Sequence, residues 1–212
     1  MIDQEKFYKA LSEGSMEGVK KLTQEALNRG ESAESILSQG LIKAMDQIGV
    51  KFKNCEIYIP EVLIAARAMH AGLGVLKPIL AKSTTSTMAK IVLGTVKGDL
   101  HDIGKNLVGM MLEGGGFEVV DIGIDAPPEK FIEAAKEHGA RVIGMSALLT
   151  TTMMQMKATI EKAKAAGLSS RLKIMVGGAP VTAEFAKQIG ADGYAPDAAS
   201  AVGKVKELLG MI

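Results

Sequence analysis

The chain has 212 residues and carries 25 Lys plus Arg against 24 Asp plus Glu, a formal net charge of +1. It has room for one or two domains at about 150 residues each, and neither side of residue 82 has the cationic excess that binding phosphate backbones demands, which excludes a dedicated nucleic-acid binder. A single cysteine, Cys55, excludes a disulfide framework and a multi-cysteine metal cluster.

Residues 1–82 read as helices only. A short helix is expected around Glu5 to Leu11. Ser15 can cap a second that runs to Arg29 and stops at Gly30. Ser32 can cap a third, whose apolar residues Leu37, Leu41, Ala44, Ile48 and Phe52 recur at three and four. Cys55 is expected to be a small buried side chain. Pro60 suits the first turn of a fourth helix through Val62, Met69, Leu73 and Leu80, and Pro78 is expected to kink or end it. Glu61, Arg67, His70 and Lys77 interrupt this most apolar stretch, so no membrane span is expected. The N-terminus has early acids and no apolar run, unlike a signal peptide, and the expected location is the cytoplasm.

The small, polar segment after Lys82 is read as a linker, residues 83–88, between a helical bundle at 1–82 and a second domain at 89–212. Beyond it, short Val- and Ile-rich runs alternate with helical stretches. Strands are expected at Ile91–Val96, Glu118–Ile122, Arg141–Met145, Lys173–Val176 and Asp192–Tyr194. Helices are expected at Gly104–Glu113, Glu129–His138, Thr152–Ala166, Thr182–Ile189 and Ala198–Leu209. This alternation implies an α/β domain with a five-stranded parallel sheet, flavodoxin- or Rossmann-like, whose ligand lies beyond the carboxyl ends of the strands.

Three of those ends carry chemistry. After the first strand come Asp99, His101, Asp102, Ile103 and Gly104; after the third, Ser146, Leu148, Thr150 and Thr152; after the fourth, Gly177 and Gly178. Glycines allow a ligand close to the backbone, and hydroxyls add polarity without bulk. The Walker pattern fails, because Asp99 stands where its first Gly belongs and Asn106 where its hydroxyl belongs. No GxGxxG follows a strand. Asp99 is placed to take one ring N–H of His101, as carboxylates behind metal-ligating histidines do. The alternative is a surface-loop histidine with Asp102 as a helix N-cap.

Asp99-x-His101-x-x-Gly104, Ser146-x-Leu148 and Gly177-Gly178 together resemble the signature of cobalamin-binding domains that hold the cofactor base-off. The preceding bundle is similar to the cap of cobalamin-dependent methionine synthase. Bundle plus domain resembles the small corrinoid proteins of anaerobic methyltransferase systems, over nearly the whole chain. The resemblance implies a cobalamin or related corrinoid with His101 as the lower axial cobalt ligand and Asp99 as its hydrogen-bonding partner. It implies a relay ending at Thr152, where methionine synthase has a serine. Asp99, Asp102, Ile103, Gly104, Ser146, Leu148, Thr150, Gly177 and Gly178 would contact the cofactor. Phe52, Ile59 and Val62 match cap residues over the corrin, and plain bundle core is the alternative for Val62.

The function so implied is a methyl carrier, a subunit rather than a stand-alone enzyme. It would accept a methyl group on Co(I) from a donor bound to a substrate-specific methyltransferase. It would then pass the group from methyl-Co(III) to a second methyltransferase serving tetrahydrofolate or a thiol coenzyme, with a reductive activase as a further partner. The alternatives are a cobalamin-dependent sensor or regulator module and the small subunit of an adenosylcobalamin mutase. Neither nucleic acid nor membrane is an expected partner.

Overall fold

The computed structural model describes residues 2–80 and 89–212; the expected linker at 83–88 lies outside the described residues. Two compact units are present. A helical one takes in the residues up to Leu80 with Glu113–Gly116, and an α/β one is formed by Ala89–Leu112 and Phe117–Ile212.

The helical unit has four rods: α1 (Gln4–Ser12), α2 (Met16–Asn28), a composite rod, and α5 (Ile59–Leu80). Ser15 caps α2 by accepting a hydrogen bond from the Gly18 N–H, and Ser32 caps the composite rod through the Ser35 N–H. That rod departs from the expectation of a plain α-helix. It opens as α3 (Ala33–Ser35), widens into a π-helical segment at Ile36–Ile42, and closes as α4 (Lys43–Lys53). Its buried residues Ile36, Leu37, Gly40, Leu41, Ala44, Met45 and Ile48 repeat every four. Such a repeat overruns the 3.6 residues of an α-turn, and the wider π-turns keep the apolar stripe on one side.

Pro78 does not end α5, which is helical through to Leu80. It forgoes one hydrogen bond, while buried Leu76 and Leu80 hold the last turn against the core. By length and composition α5 could cross a membrane. In this fold it is the bundle's core helix, with Val62, Ala65, Ala66, Met69 and Leu73 buried. Cys55 is exposed, contrary to expectation, because it sits at φ +59° in the turn after α4.

The α/β unit runs β1 (Lys90–Thr95), α6 (Ile103–Gly114), β2 (Glu118–Asp121), α7 (Pro128–His138), β3 (Val142–Ser146), α8 (Met154–Ala165), β4 (Lys173–Gly177), α9 (Ala183–Ile189), β5 (Gly193–Ala195) and α10 (Ala198–Leu208). All five strands are parallel, in the order β2-β1-β3-β4-β5. Each expected strand and helix is present, with ends shifted by a residue or two. Thr152, expected to open α8, lies in the turn before it.

One face of the sheet packs Val92, Ile143, Ile174 and Val176 against Phe131 of α7 and Met156 and Ile160 of α8. Gly94 makes this approach possible, because a Cβ there would stand 2.9 Å from the Phe131 ring. Strand order reverses at β1, whose neighbours are β2 and β3, and such a switch opens a crevice at the carboxyl edge. Thr95, Ser146, Gly177 and Ala195 stand in register along that edge.

Gly178 shows how closely the strand ends approach. Its φ is +127°, and a Cβ would lie 1.9 Å from the Ala147 carbonyl oxygen. Gly178→Ala is expected to destabilise the α/β unit by about 3 kcal/mol, through backbone strain and this clash together. Urea unfolding followed by circular dichroism measures it, and an unchanged midpoint would contradict the close approach.

Candidate functional site

The site is built around a buried carboxylate. Asp99 follows β1 in a turn closed by its own N–H to the Val96 carbonyl, 3.1 Å. Gly98, at φ +82°, reverses the chain, and its N–H donates to Asp125 Oδ1 at 2.6 Å. The Asp125 N–H returns a bond to the Asp99 carbonyl, 3.0 Å. Asp125 adopts φ +49°, a region that Asp tolerates better than most residues.

Asp99 is fully buried, yet its two oxygens collect five donors. Oδ1 receives the His101 backbone N–H at 3.1 Å and the ring Nδ1 at 2.7 Å. Oδ2 receives the backbone N–H groups of Leu148 and Leu149 at 2.7 and 3.2 Å. The Thr152 hydroxyl lies 2.9 Å from Oδ2 and also 2.9 Å from the Leu149 carbonyl oxygen. It has one proton to give to one of these two acceptors. Burial pushes the carboxyl upward, but the bonds from Leu148, His101 and Thr152 outweigh it and hold Asp99 well below the usual carboxylate range.

An ionised carboxylate only accepts, so Nδ1 of His101 is the protonated nitrogen of the ring. The imidazole is 51% exposed, which leaves Nε2 as the nitrogen available to an incoming metal. Backbone placement is equally firm, because the buried Thr95 hydroxyl donates to the His101 carbonyl at 2.9 Å.

The surroundings are apolar and open. Leu100 and Ile103 flank the histidine and are 66% and 79% exposed; Leu148 and Leu149 across the edge are also exposed. A Cβ at Gly104 would meet nothing within 4 Å. No group of three or more His, Cys, Asp or Glu among the described residues is placed to hold a bare metal ion. A single imidazole in an apolar clearing suits a metal that arrives with most of its ligands already in a flat organic ring. The residues therefore fit a corrinoid.

The structure brings Asp99, His101 and Thr152 together as the sequence suggested. Ser146 and Thr150 lie on the same edge, and Thr150 is exposed. Asp102 precedes α6, where its carboxylate accepts the Asn106 side-chain amide at 3.1 Å. Gly177 and Gly178 have a packing reason of their own, since a Cβ on Gly177 would lie 2.9 Å from the Ala195 carbonyl oxygen. In the helical unit, Val62 is buried in the bundle core, Phe52 is half-buried and Ile59 is exposed. Sequence reasoning missed Thr95, Leu149 and Asp125. Thr95 and Leu149 act through bonds to or from the backbone, for which no residue pattern stands. Asp125 lies 26 residues beyond Asp99 on another loop.

Comparison with known proteins decides the family. The family described as B12 binding domain matches residues 89–203, and a second of the same description matches residues 3–77. The chain belongs to the B12-binding family of corrinoid proteins. This corrinoid protein is 51% identical to dimethylamine corrinoid protein 2 of Methanosarcina mazei over 180 residues, 84% of each chain. It is similar to the crystal structure of a cobalamin-binding protein from Desulfitobacterium hafniense, with TM-score 0.81, 31% identity, and coverage of 98% of this chain and 99% of that one. It also matches the methanol:cobalamin methyltransferase complex of Methanosarcina barkeri, with TM-score 0.84, 28% identity, and coverage of 98% and 79%.

Two outcomes test the site. Asp99 has its carboxyl lowered on folding, so it stabilises the protein above the unfolded-state value near 4, and this support fades as pH falls toward the folded-state value. The stability advantage of apo wild type over Asp99→Asn should therefore shrink steadily between about pH 5 and 3, as read by urea titration. Gly104 offers the converse case. Gly104→Ala is expected to stabilise the apo protein by about 0.5 kcal/mol through helix propensity, whereas Gly104→Phe should leave melting intact and abolish tight corrinoid binding in a titration.

Proposed function

We propose that this chain carries methyl groups on a base-off corrinoid whose lower axial ligand is His101. The observation that carries the reading is the 2.7 Å bond from His101 Nδ1 to buried Asp99, with Nε2 left over in an apolar clearing at the strand switch. When bound, the corrinoid supplies a cobalt that takes up and gives away a methyl group. His101 would hold that cobalt through Nε2. Asp99 fixes the tautomer and aim of the ring, and the donors around it keep it ionised, so it orients the proton on Nδ1 rather than storing one. Thr152 can swing its single proton between Asp99 Oδ2 and the Leu149 carbonyl, which makes it the adjustable member of the set. Ser146, Leu148, Thr150, Gly177 and Gly178 would line the slot for the nucleotide tail.

A carrier needs a donor-side and an acceptor-side methyltransferase, and a reductive activase for the cofactor. Relatives named for dimethylamine, and a solved complex with a methanol methyltransferase, support partners of the donor-side kind. A sensor or a mutase subunit would prefer adenosylcobalamin, whereas a carrier accepts methylcobalamin.

Reconstitution of the wild type and His101→Ala with methylcobalamin and hydroxocobalamin, followed by absorption spectroscopy, tests the reading. Stoichiometric binding by the wild type is expected, with a His101→Ala spectrum altered in the visible band and a binding constant weakened at least about tenfold. Superimposable spectra would overturn axial ligation by His101. Failure of the loaded wild type to exchange methyl groups with a corrinoid-dependent methyltransferase of the methylamine or methanol class would overturn the carrier role.

A further inference from the structure

Among the described residues only two charged side chains are buried, Asp99 and Lys105. Asp99 is accounted for by His101. Lys105 is not, and its position is costly. It lies in the first turn of α6, where the positive end of the helix dipole disfavours a cation, and a lysine stem is long enough to carry its ammonium out to water. The side chain nevertheless stays 2% exposed. Its ammonium is ion-paired with Asp121 Oδ2 at the end of β2 and donates to Asn106 Oδ1 at 2.7 Å.

These bonds continue in both directions. Asn106 Nδ2 donates to Asp102 Oδ2 at 3.1 Å, and Asp102 is the residue after His101. The other Asp121 oxygen accepts the Gly123 N–H at 2.8 Å, and two residues further Asp125 takes the Gly98 N–H. The β2–α7 loop thus grips the histidine loop at both ends, through Asp125 before Asp99 and through Asp121 and Lys105 after His101. With its ammonium enclosed and committed to these partners, Lys105 is not available to an anionic ligand.

We propose that Lys105 is a positioning residue, whose ion pair with Asp121 locks the start of α6 to β2 and so sets the direction in which His101 presents Nε2. The inference rests on the corrinoid reading for what His101 faces, but its effect on the loop exists in the apo protein as well. Lys105→Met keeps the apolar stem and removes only the charge and its donors, so the fold should survive. Asp121→Asn, at a half-exposed carboxylate, is the second variant should Lys105→Met fail to fold.

Two readouts are compared among wild type, His101→Ala, Lys105→Met, Asp121→Asn and the double variant. They are amide hydrogen exchange of residues 99–106 in the apo protein, and the absorption spectrum at saturating hydroxocobalamin. Lys105→Met is expected to speed exchange in that segment, to shift the saturated spectrum part-way toward that of His101→Ala, and to weaken corrinoid binding about tenfold. The double variant should match the stronger single one, since both break one pair. A Lys105→Met protein with lowered melting temperature but wild-type exchange and a wild-type saturated spectrum would show a merely structural lysine and overturn the proposal. If the wild type bound no corrinoid, the carrier reading would fall by itself. Unchanged exchange at 99–106 in the Lys105→Met apo protein would still overturn the positioning role separately.

Discussion

A carboxylate buried from bulk solvent is the constraint around which this α/β unit is organised. Transfer of an ionised group into the interior is costly unless every lone pair finds a donor. Asp99 meets that demand by drawing donors from two strand ends at once, His101 from its own loop and Leu148, Leu149 and Thr152 from the loop after β3. The charge therefore fastens the two sides of the crevice together where β1 and β3 part company. Removing it would disturb the geometry of both loops as well as one histidine.

Around that joint, small residues regulate distance. Gly94 lets Phe131 sit against β1, and Gly178 lets the end of β4 approach the Ala147 carbonyl. Gly104 plays the opposite part, since it leaves space unfilled. Glycines that are alike in the sequence thus divide into those consumed by packing, such as Gly94 and Gly178, and those that leave a surface clear, of which Gly104 is the one beside His101. The neighbouring Leu100 and Ile103, exposed beside a polar carboxylate network, are what an apolar planar ligand would cover.

Much of this was legible from the chain alone. Alternating apolar runs and helical stretches placed every strand and helix of the α/β unit, because that signal is local and periodic, and Ser15 and Ser32 marked two helix starts in the bundle. Asp99 and His101 could be paired by their spacing, and Thr152 could be added through the family resemblance. The π-helical widening at Ile36–Ile42 escaped, although its cause is in the sequence, because a repeat of four looks much like alternating threes and fours. Cys55 was misjudged since composition carries no information about a left-handed turn. Thr95, Leu149 and Asp125 escaped for a deeper reason. Each role involves a backbone group, which no residue type announces, and for Leu149 and Asp125 only the closed fold brings the partner, Asp99 or the Gly98 N–H, within reach.

The anchoring of the histidine loop has a kinetic consequence. His101 has its carbonyl held by Thr95, and the turn before it is stitched to Asp125 by a pair of backbone-involving bonds. The main chain cannot follow the ring, so any change in what Nε2 touches falls to the two side-chain torsions of a single residue. Exposed side-chain rotations run in picoseconds to nanoseconds, whereas loop movements extend to microseconds. Reorientation of the imidazole is then a swivel that has to release only the bond to Asp99, rather than a hinge of the loop, and the strand edge need not refold for it.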